Sequence, residues 1–130
     1  LCINYNEAVH LSGLKNHNLN EIAEYILSLG SDSLIIKQGE DGATFFDGNS
    51  SFSINAYPVN KVMDTTGAGD TFAGGILSSK IAGKNMEESM IAGATMASFC
   101  IENISHEGIV KVSDSEYKLR KEWIQSSLTY

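Results

Sequence analysis

Leu34, Ile35 and Ile36 form an uninterrupted apolar run, and this run limits the choice of folds more strongly than any other feature of the sequence. A strand with one face in water alternates apolar and polar residues, whereas a strand covered on both faces is apolar throughout. The run therefore predicts a strand in a sheet that has helices on both faces, which is an α/β arrangement.

The segments around this strand predict helices and a hairpin. Three residue pairs have the spacing of a helix capping box: Asn18 with Glu21, Asn85 with Glu88, and Ser113 with Glu116. Gly13 and Gly30 follow helix-like segments and are expected to end them. "GNS" joins the strand-like segments "ATFFD" and "SFSINAY", which predicts a hairpin because Gly48 and Asn49 tolerate positive φ. The order helix, strand, hairpin, helix, helix favours an α/β fold in one domain over residues 1–130.

The charge and composition favour a small molecule as the partner. The chain of 130 residues has a formal net charge of −7, whereas nucleic acids and anionic membranes bind basic surfaces. No apolar run approaches the roughly 20 residues of a membrane span. Cys2 and Cys100 have neither metal-like nor redox-like spacing, so we expect a reducing cytoplasm. The chain starts at Leu1 rather than Met, and we expect the natural protein to extend upstream.

The stretch "DTTGAGDTFAGG", Asp64–Gly75, lies where a loop turns into a helix. Gly67 and Gly69 flank Ala68, so backbone N–H groups there can point outward without a large side chain in the way. The helix dipole adds about 0.3–1 kcal/mol for a nearby negative charge. The stretch therefore predicts an anion pocket suited to phosphate.

Asp70 is the unexpected residue of this pocket, because a carboxylate repels the phosphate that the pocket would hold. An aspartate beside a transferred phosphoryl group can instead act as a base that accepts the proton of an attacking hydroxyl. The alternative is that Asp70 only caps the helix, as aspartates in glycine-rich turns often do. The length of the motif favours the base.

"DTTGAGDTFAGG" resembles the C-terminal signature of the ribokinase-like (PfkB) family of carbohydrate and nucleoside kinases. The resemblance implies a three-layer α/β/α fold, of which this chain carries the C-terminal part without the N-terminal strands and the lid. It also implies that Asp70 is the catalytic base and that Gly67, Ala68 and Gly69 form the anion hole.

Two further stretches extend the resemblance. "NYNE" is similar to the family's N-x-x-E motif, which implies that Asn4 and Glu7 help to position hydrated Mg²⁺ and phosphate. A helix N-cap with its glutamate is the alternative. "KQGEDGA" is similar to the segment that runs beside ATP, which makes Lys37, Gly39 and Gly42 candidates for nucleotide binding. An ordinary glycine-containing turn is the alternative there.

Two weaker similarities concern the adenine and a cation. "IAGATMASF" is similar to the helix that closes over adenine in relatives, which implies roles for Gly93, Ala94 and Ala97, although tight helix packing explains them equally well. Asp64 and Thr66 stand where many relatives bind a monovalent cation such as K⁺. The segment "ENISHEGI", which should complete that site, does not show the usual pattern.

These observations predict an ATP-dependent kinase that transfers the γ-phosphoryl group to a hydroxyl of a small sugar, with Mg²⁺ as cofactor. A nucleoside or a vitamin-type alcohol is the alternative acceptor within the family. A nucleotide-binding module without catalysis is the alternative outside the enzyme class. The sequence is compatible with a homo-oligomer and does not determine the oligomeric state.

Overall fold

The computed structural model describes residues 1–102 and 112–130. Its strands are β1 (Cys2–Asn4), β2 (Leu34–Lys37), β3 (Ala43–Phe46) and β4 (Ser51–Ile54). Its helices are α1 (Tyr5–Ser12), α2 (Leu19–Ser28), α3 (Ala68–Ile81), α4 (Met86–Ile101) and α5 (Asp114–Ser126), and a 3-10 turn covers Gly39–Asp41. The described elements match the order expected from the sequence.

The strands form one mixed sheet in the order β1-β2-β3-β4. β1 and β2 are parallel, and Asn4 pairs with Lys37 at their carboxyl ends. β2, β3 and β4 are antiparallel neighbours, and the predicted hairpin joins β3 to β4. Gly48 adopts the expected positive φ of 82° in its turn, but Asn49 does not. The parallel pair therefore brings Asn4 and Lys37 to the same edge of the sheet.

Two apolar clusters lie on opposite faces of the sheet. Leu34 and Ile36 of β2 pack with residues of α1 and α2, whereas Ile35 packs with residues of α3, α4 and α5. All three side chains are buried, so the strand has the double-sided coverage that its apolar run predicts. Within the described part of the chain, no helix is long and apolar enough to cross a membrane.

Side-chain caps start four of the helices. The boxes at Asn4, Asn18 and Asn85 are complete, with the side-chain bond and its reciprocal bond both present. The box predicted at Ser113 is only half correct. The Glu116 N–H donates to Ser113 Oγ, but the Glu116 carboxylate accepts from the Ser113 hydroxyl instead of its backbone N–H.

α3 and α4 cross at close range through facing glycines. A Cβ built on Gly75 would lie 2.7 Å from Gly93 Cα, and one built on Gly93 would lie 2.5 Å from the Phe72 carbonyl oxygen. Neither position has room for a side chain. The contact fixes the direction of α3, and therefore the direction of its N-terminus.

Candidate functional site

The N-terminus of α3 carries open backbone donors. Gly67, the N-cap residue, has a φ of 80°, which side chains rarely adopt. The Ala68 N–H donates to the Thr65 carbonyl at 3.2 Å, and the Thr71 N–H donates to the Gly67 carbonyl at 2.8 Å. Between them, the N–H groups of Gly69 and Asp70 have no backbone acceptor among residues 1–102 and 112–130. These two donors face outward at the positive end of a helix, which is where anions bind in proteins.

Asp70 lies in the first turn of α3 with its side chain exposed. Its carboxylate forms no hydrogen bond or ion pair with the described residues. Asp70 therefore carries an exposed carboxylate without a partner in residues 1–102 and 112–130, on the same residue as one of the two open donors.

Lys37 reaches the same helix end from the carboxyl end of β2. A Cβ built on Gly69 would lie 2.9 Å from Lys37 Nζ, so the missing side chain of Gly69 provides the space for the ammonium group. The sequence placed Lys37 only in a segment beside the nucleotide. The structure brings its charge to the N-terminus of α3, where ammonium and backbone donors together favour an anion.

Asn4 and Glu7 form a helix cap at the neighbouring strand end. Asn4 Oδ1 accepts the Glu7 N–H at 2.9 Å, and Glu7 Oε2 accepts the Asn4 N–H at 2.7 Å. The cap expected as the alternative is therefore present. The cap leaves Glu7 Oε1 free for a further partner within the described part of the molecule.

Charged groups at this edge of the sheet influence the pKa of the Cys2 thiol. Burial raises the pKa of Cys2, the Lys37 ammonium and the amino group of Leu1 oppose the shift, and the Glu7 carboxylate adds to it. Lys37 and Glu7 therefore both act on the same half-buried atom.

The two glycines of "KQGEDGA" differ in their surroundings. Gly42 has a φ of 95°, and a Cβ there would overlap the Ile54 carbonyl oxygen, so the packing of the chain on itself explains this glycine. Gly39 has a φ of 66° and nothing within 4 Å of its Cβ position. Only Gly39 leaves backbone open to a ligand.

The residues assigned to the adenine lie on α4. Gly93 packs against Phe72 and Ile76 of α3, so close helix packing accounts for it. Ala94 and Ala97 are partly buried against the cluster around Ile35. A cavity of about 510 Å³ lies between α3, α4 and α5. Thr71 lines it, but Gly93, Ala94 and Ala97 do not.

Asp64 and Thr66 are hydrogen-bonded to each other directly before the glycine-rich turn. Asp64 Oδ1 accepts the Thr66 N–H at 2.8 Å, and this bond, together with the Thr66 hydroxyl, holds the pKa of Asp64 below its usual range. The segment expected to complete a cation site, 102–109, lies outside the described residues except for Glu102. No group of three or more His, Cys, Asp or Glu side chains in the described ranges could hold a metal ion.

The candidate site is therefore a junction between β1, β2 and α3. Asn4 lies beside Lys37, and Lys37 lies beside Gly69 and the open donors. In open α/β sheets, ligands bind at the carboxyl ends of parallel strands, which is the position of this junction.

Comparison with known proteins places this geometry in a family. The pattern of the pfkB family of carbohydrate kinases matches residues 1–108. A nucleoside kinase of Methanocaldococcus jannaschii is 31% identical over 102 residues, covering 78% of this chain and 32% of that protein. A ribokinase of Staphylococcus aureus is 44% identical over 78 residues, covering 58% of this chain and 25% of that protein.

Solved structures share the fold. Arabidopsis thaliana ribokinase, complexed with ribose and ATP, matches with a TM-score of 0.81 at 25% identity, covering 94% of this chain and 40% of that one. The chain thus spans between 25% and 32% of the two curated relatives above. Because the family pattern matches most of the chain and a solved relative has the same fold, the chain belongs to the pfkB family of carbohydrate kinases.

Proposed function

We propose that the protein is an ATP-dependent kinase that transfers the γ-phosphoryl group to a hydroxyl of a small sugar. One observation carries the proposal: two open N–H donors, the Lys37 ammonium and the Asp70 carboxylate meet at the N-terminus of α3. Phosphoryl transfer is catalysed mainly by positioning and by stabilising charge, and these groups are suited to both tasks.

The chain's own donors fit the phosphates of ATP. The Gly69 and Asp70 N–H groups and Lys37 Nζ would hold the transferring group, and the absence of a Cβ at Gly69 leaves room for the Lys37 ammonium beside the two N–H groups. Gly39 leaves the turn after β2 open, so backbone there can approach the nucleotide. Ala94 and Ala97 are the proposed contacts of the adenine.

The donor set near α1 fits a hydrated Mg²⁺. Mg²⁺ keeps several waters and is usually held by one or two carboxylates plus substrate phosphates, and Glu7 supplies a carboxylate in the helix that follows Asn4, the strand partner of Lys37. Asn4 orients that carboxylate through the cap. When bound, the ion would neutralise charge on the phosphate oxygens. Asp64 and Thr66 are the proposed ligands of a monovalent cation.

Asp70 would act as the base. Its carboxylate accepts the proton of the acceptor hydroxyl while the oxygen attacks the γ-phosphorus, and the open amides and Lys37 stabilise the charge that is transferred. A carboxylate in this place weakens phosphate binding, so a catalytic role explains its presence better than a binding role does.

The acceptor is proposed to be a sugar, with a nucleoside or a vitamin-type alcohol as the alternative. The similar proteins include ribokinases and a nucleoside kinase, and this favours hydroxyl acceptors of both kinds. A nucleotide-binding module without catalysis is the second candidate, because the chain spans only 32% of the nucleoside kinase. The proposed location is the cytoplasm.

Asp70→Asn tests the proposal. We expect turnover to fall by about 10²–10⁴-fold because the proton acceptor is lost, while the affinity for ATP holds or rises because a charge that repels phosphate is removed. Steady-state kinetics and ATP titration measure the two effects. Asp114→Asn, the same change in the first turn of α5, is the matched control and should alter neither. Unaltered turnover in Asp70→Asn would remove Asp70 from the base role.

A further inference from the structure

Arg120 of α5 is a nearly buried cation outside the proposed site. Only 12% of its side chain is exposed. Its guanidinium donates to Ser98 Oγ at 3.1 Å and to the Glu102 carboxylate, and it lies 3.9 Å from the centre of the Phe99 ring. Ser98 and Phe99 belong to the last turn of α4, and Glu102 follows directly as its C-cap. Arg120 therefore fixes that end of α4 against α5.

The same end of α4 holds the segment that leads into α3. The Ile101 carbonyl accepts the N–H groups of Met63 at 2.7 Å and Asp64 at 3.3 Å. The Cys100 thiol donates to the Thr66 carbonyl at 3.7 Å. The chain is thus attached to α4 up to the residue before Gly67.

Arg120 also contacts the beginning of this segment. Its guanidinium lies 4.8 Å from the centre of the Tyr57 ring, and Trp123 of α5 meets the same ring edge-on at 5.5 Å. Residues 55–67 connect β4 to α3 without a helix or strand. Connections of this length without secondary structure are uncommon in compact domains, and this one is held at both ends.

We propose that Arg120 is a positioning residue that sets the location of the anion hole without touching it. It acts through the last turn of α4. Met63, Asp64 and Thr66 are hydrogen-bonded to that turn, and these bonds fix the start of α3. A planar guanidinium can bond two acceptors and stack on two rings at once, whereas a lysine ammonium cannot. The importance of this positioning for catalysis rests on the proposed function. The coupling between Arg120 and the segment that leads into α3 does not.

Hydrogen exchange tests the coupling directly. In Arg120→Met, made in the chain as the cell produces it, we expect the Met63 and Asp64 amides to exchange about tenfold faster or more, because their acceptor carbonyl is no longer held in place. The amide of Thr95, in the middle of α4, should keep its rate. Lys118→Met on the same helix is the matched control, because its side chain is 77% exposed, and it should change none of the three.

A titration with ATP adds a functional readout. We expect the ATP dissociation constant of Arg120→Met to rise about tenfold, with partial recovery in Arg120→Lys. A wild-type chain that binds no ATP would contradict the proposed function, while the exchange rates would still decide the role of Arg120.

The proposal is overturned if the Met63 and Asp64 amides exchange at the wild-type rate. It is also overturned if they accelerate only in proportion to Thr95, since that pattern reports general destabilisation. Should Arg120→Met fail to fold, Glu102→Gln keeps an acceptor and removes only the charge. We expect a smaller acceleration at the same two amides, and its absence would equally refute the proposal.

Discussion

At the scale of single residues, the site depends on Gly69, whose missing side chain leaves space for the Lys37 ammonium. Gly67 and Asp70 were predicted from the sequence because a turn into a helix needs residues that are adjacent in the chain. The approach of Lys37 Nζ to Gly69 was not predicted, since it depends on how β2 and α3 pack. The burial of Arg120 was missed for the same reason, because its partners on α4 are distant in sequence.

Gly69→Ala tests the contact with Lys37. The added Cβ would lie 2.9 Å from Lys37 Nζ, so the flexible lysine must move away from the anion hole. We expect the ATP dissociation constant to rise by about tenfold, as for the loss of a charge-assisted hydrogen bond. Stability should hold or improve, because alanine favours a helix by up to about 1 kcal/mol over glycine.

Gly74→Ala is the matched control for this change, because nothing lies within 4 Å of its Cβ position on the same helix. Calorimetric titration with ATP should leave this control at the wild-type affinity. If the wild type, Gly69→Ala and Gly74→Ala bind ATP with equal affinity, Lys37 does not contribute to nucleotide binding.

At the scale of elements, helix starts were easier to predict than helix contacts. Capping is local, so the boxes at Asn18 and Asn85 were correct from spacing alone. The box at Ser113 differed because the direction of the Glu116 side chain cannot be inferred from spacing. The sequence left Gly93 open between adenine binding and packing, and the crossing of α3 and α4 supplies a packing reason.

Gly93→Ala should separate the two helices. Its Cβ would lie 2.5 Å from the Phe72 carbonyl oxygen, and backbone cannot yield as a long side chain can. We expect the free energy of unfolding to fall by about 1–3 kcal/mol. Gly74→Ala should leave it unchanged or raise it. Urea unfolding of both variants compares them, and a Gly93→Ala protein as stable as the Gly74→Ala protein would disprove the close crossing.

At the scale of the whole molecule, the apolar run of β2 predicted a sheet covered on both faces. The structure places α1 and α2 over one face and α3, α4 and α5 over the other. The sequence did not indicate which helices share a face, because this depends on the connections that cross the sheet. One consequence of the arrangement is chemical: the carboxyl ends of β1 and β2 meet the N-terminus of α3 at one junction.

Acceptor-dependent consumption of ATP is the measurement that tests phosphoryl transfer at this junction most directly. The natively expressed protein should be assayed with ATP and Mg²⁺ over a panel of sugars, nucleosides and vitamin-type alcohols. We predict turnover that requires one of these hydroxyl acceptors and that is greatest with a sugar. Binding of ATP without transfer to any acceptor would contradict the proposed kinase and favour a nucleotide-binding module.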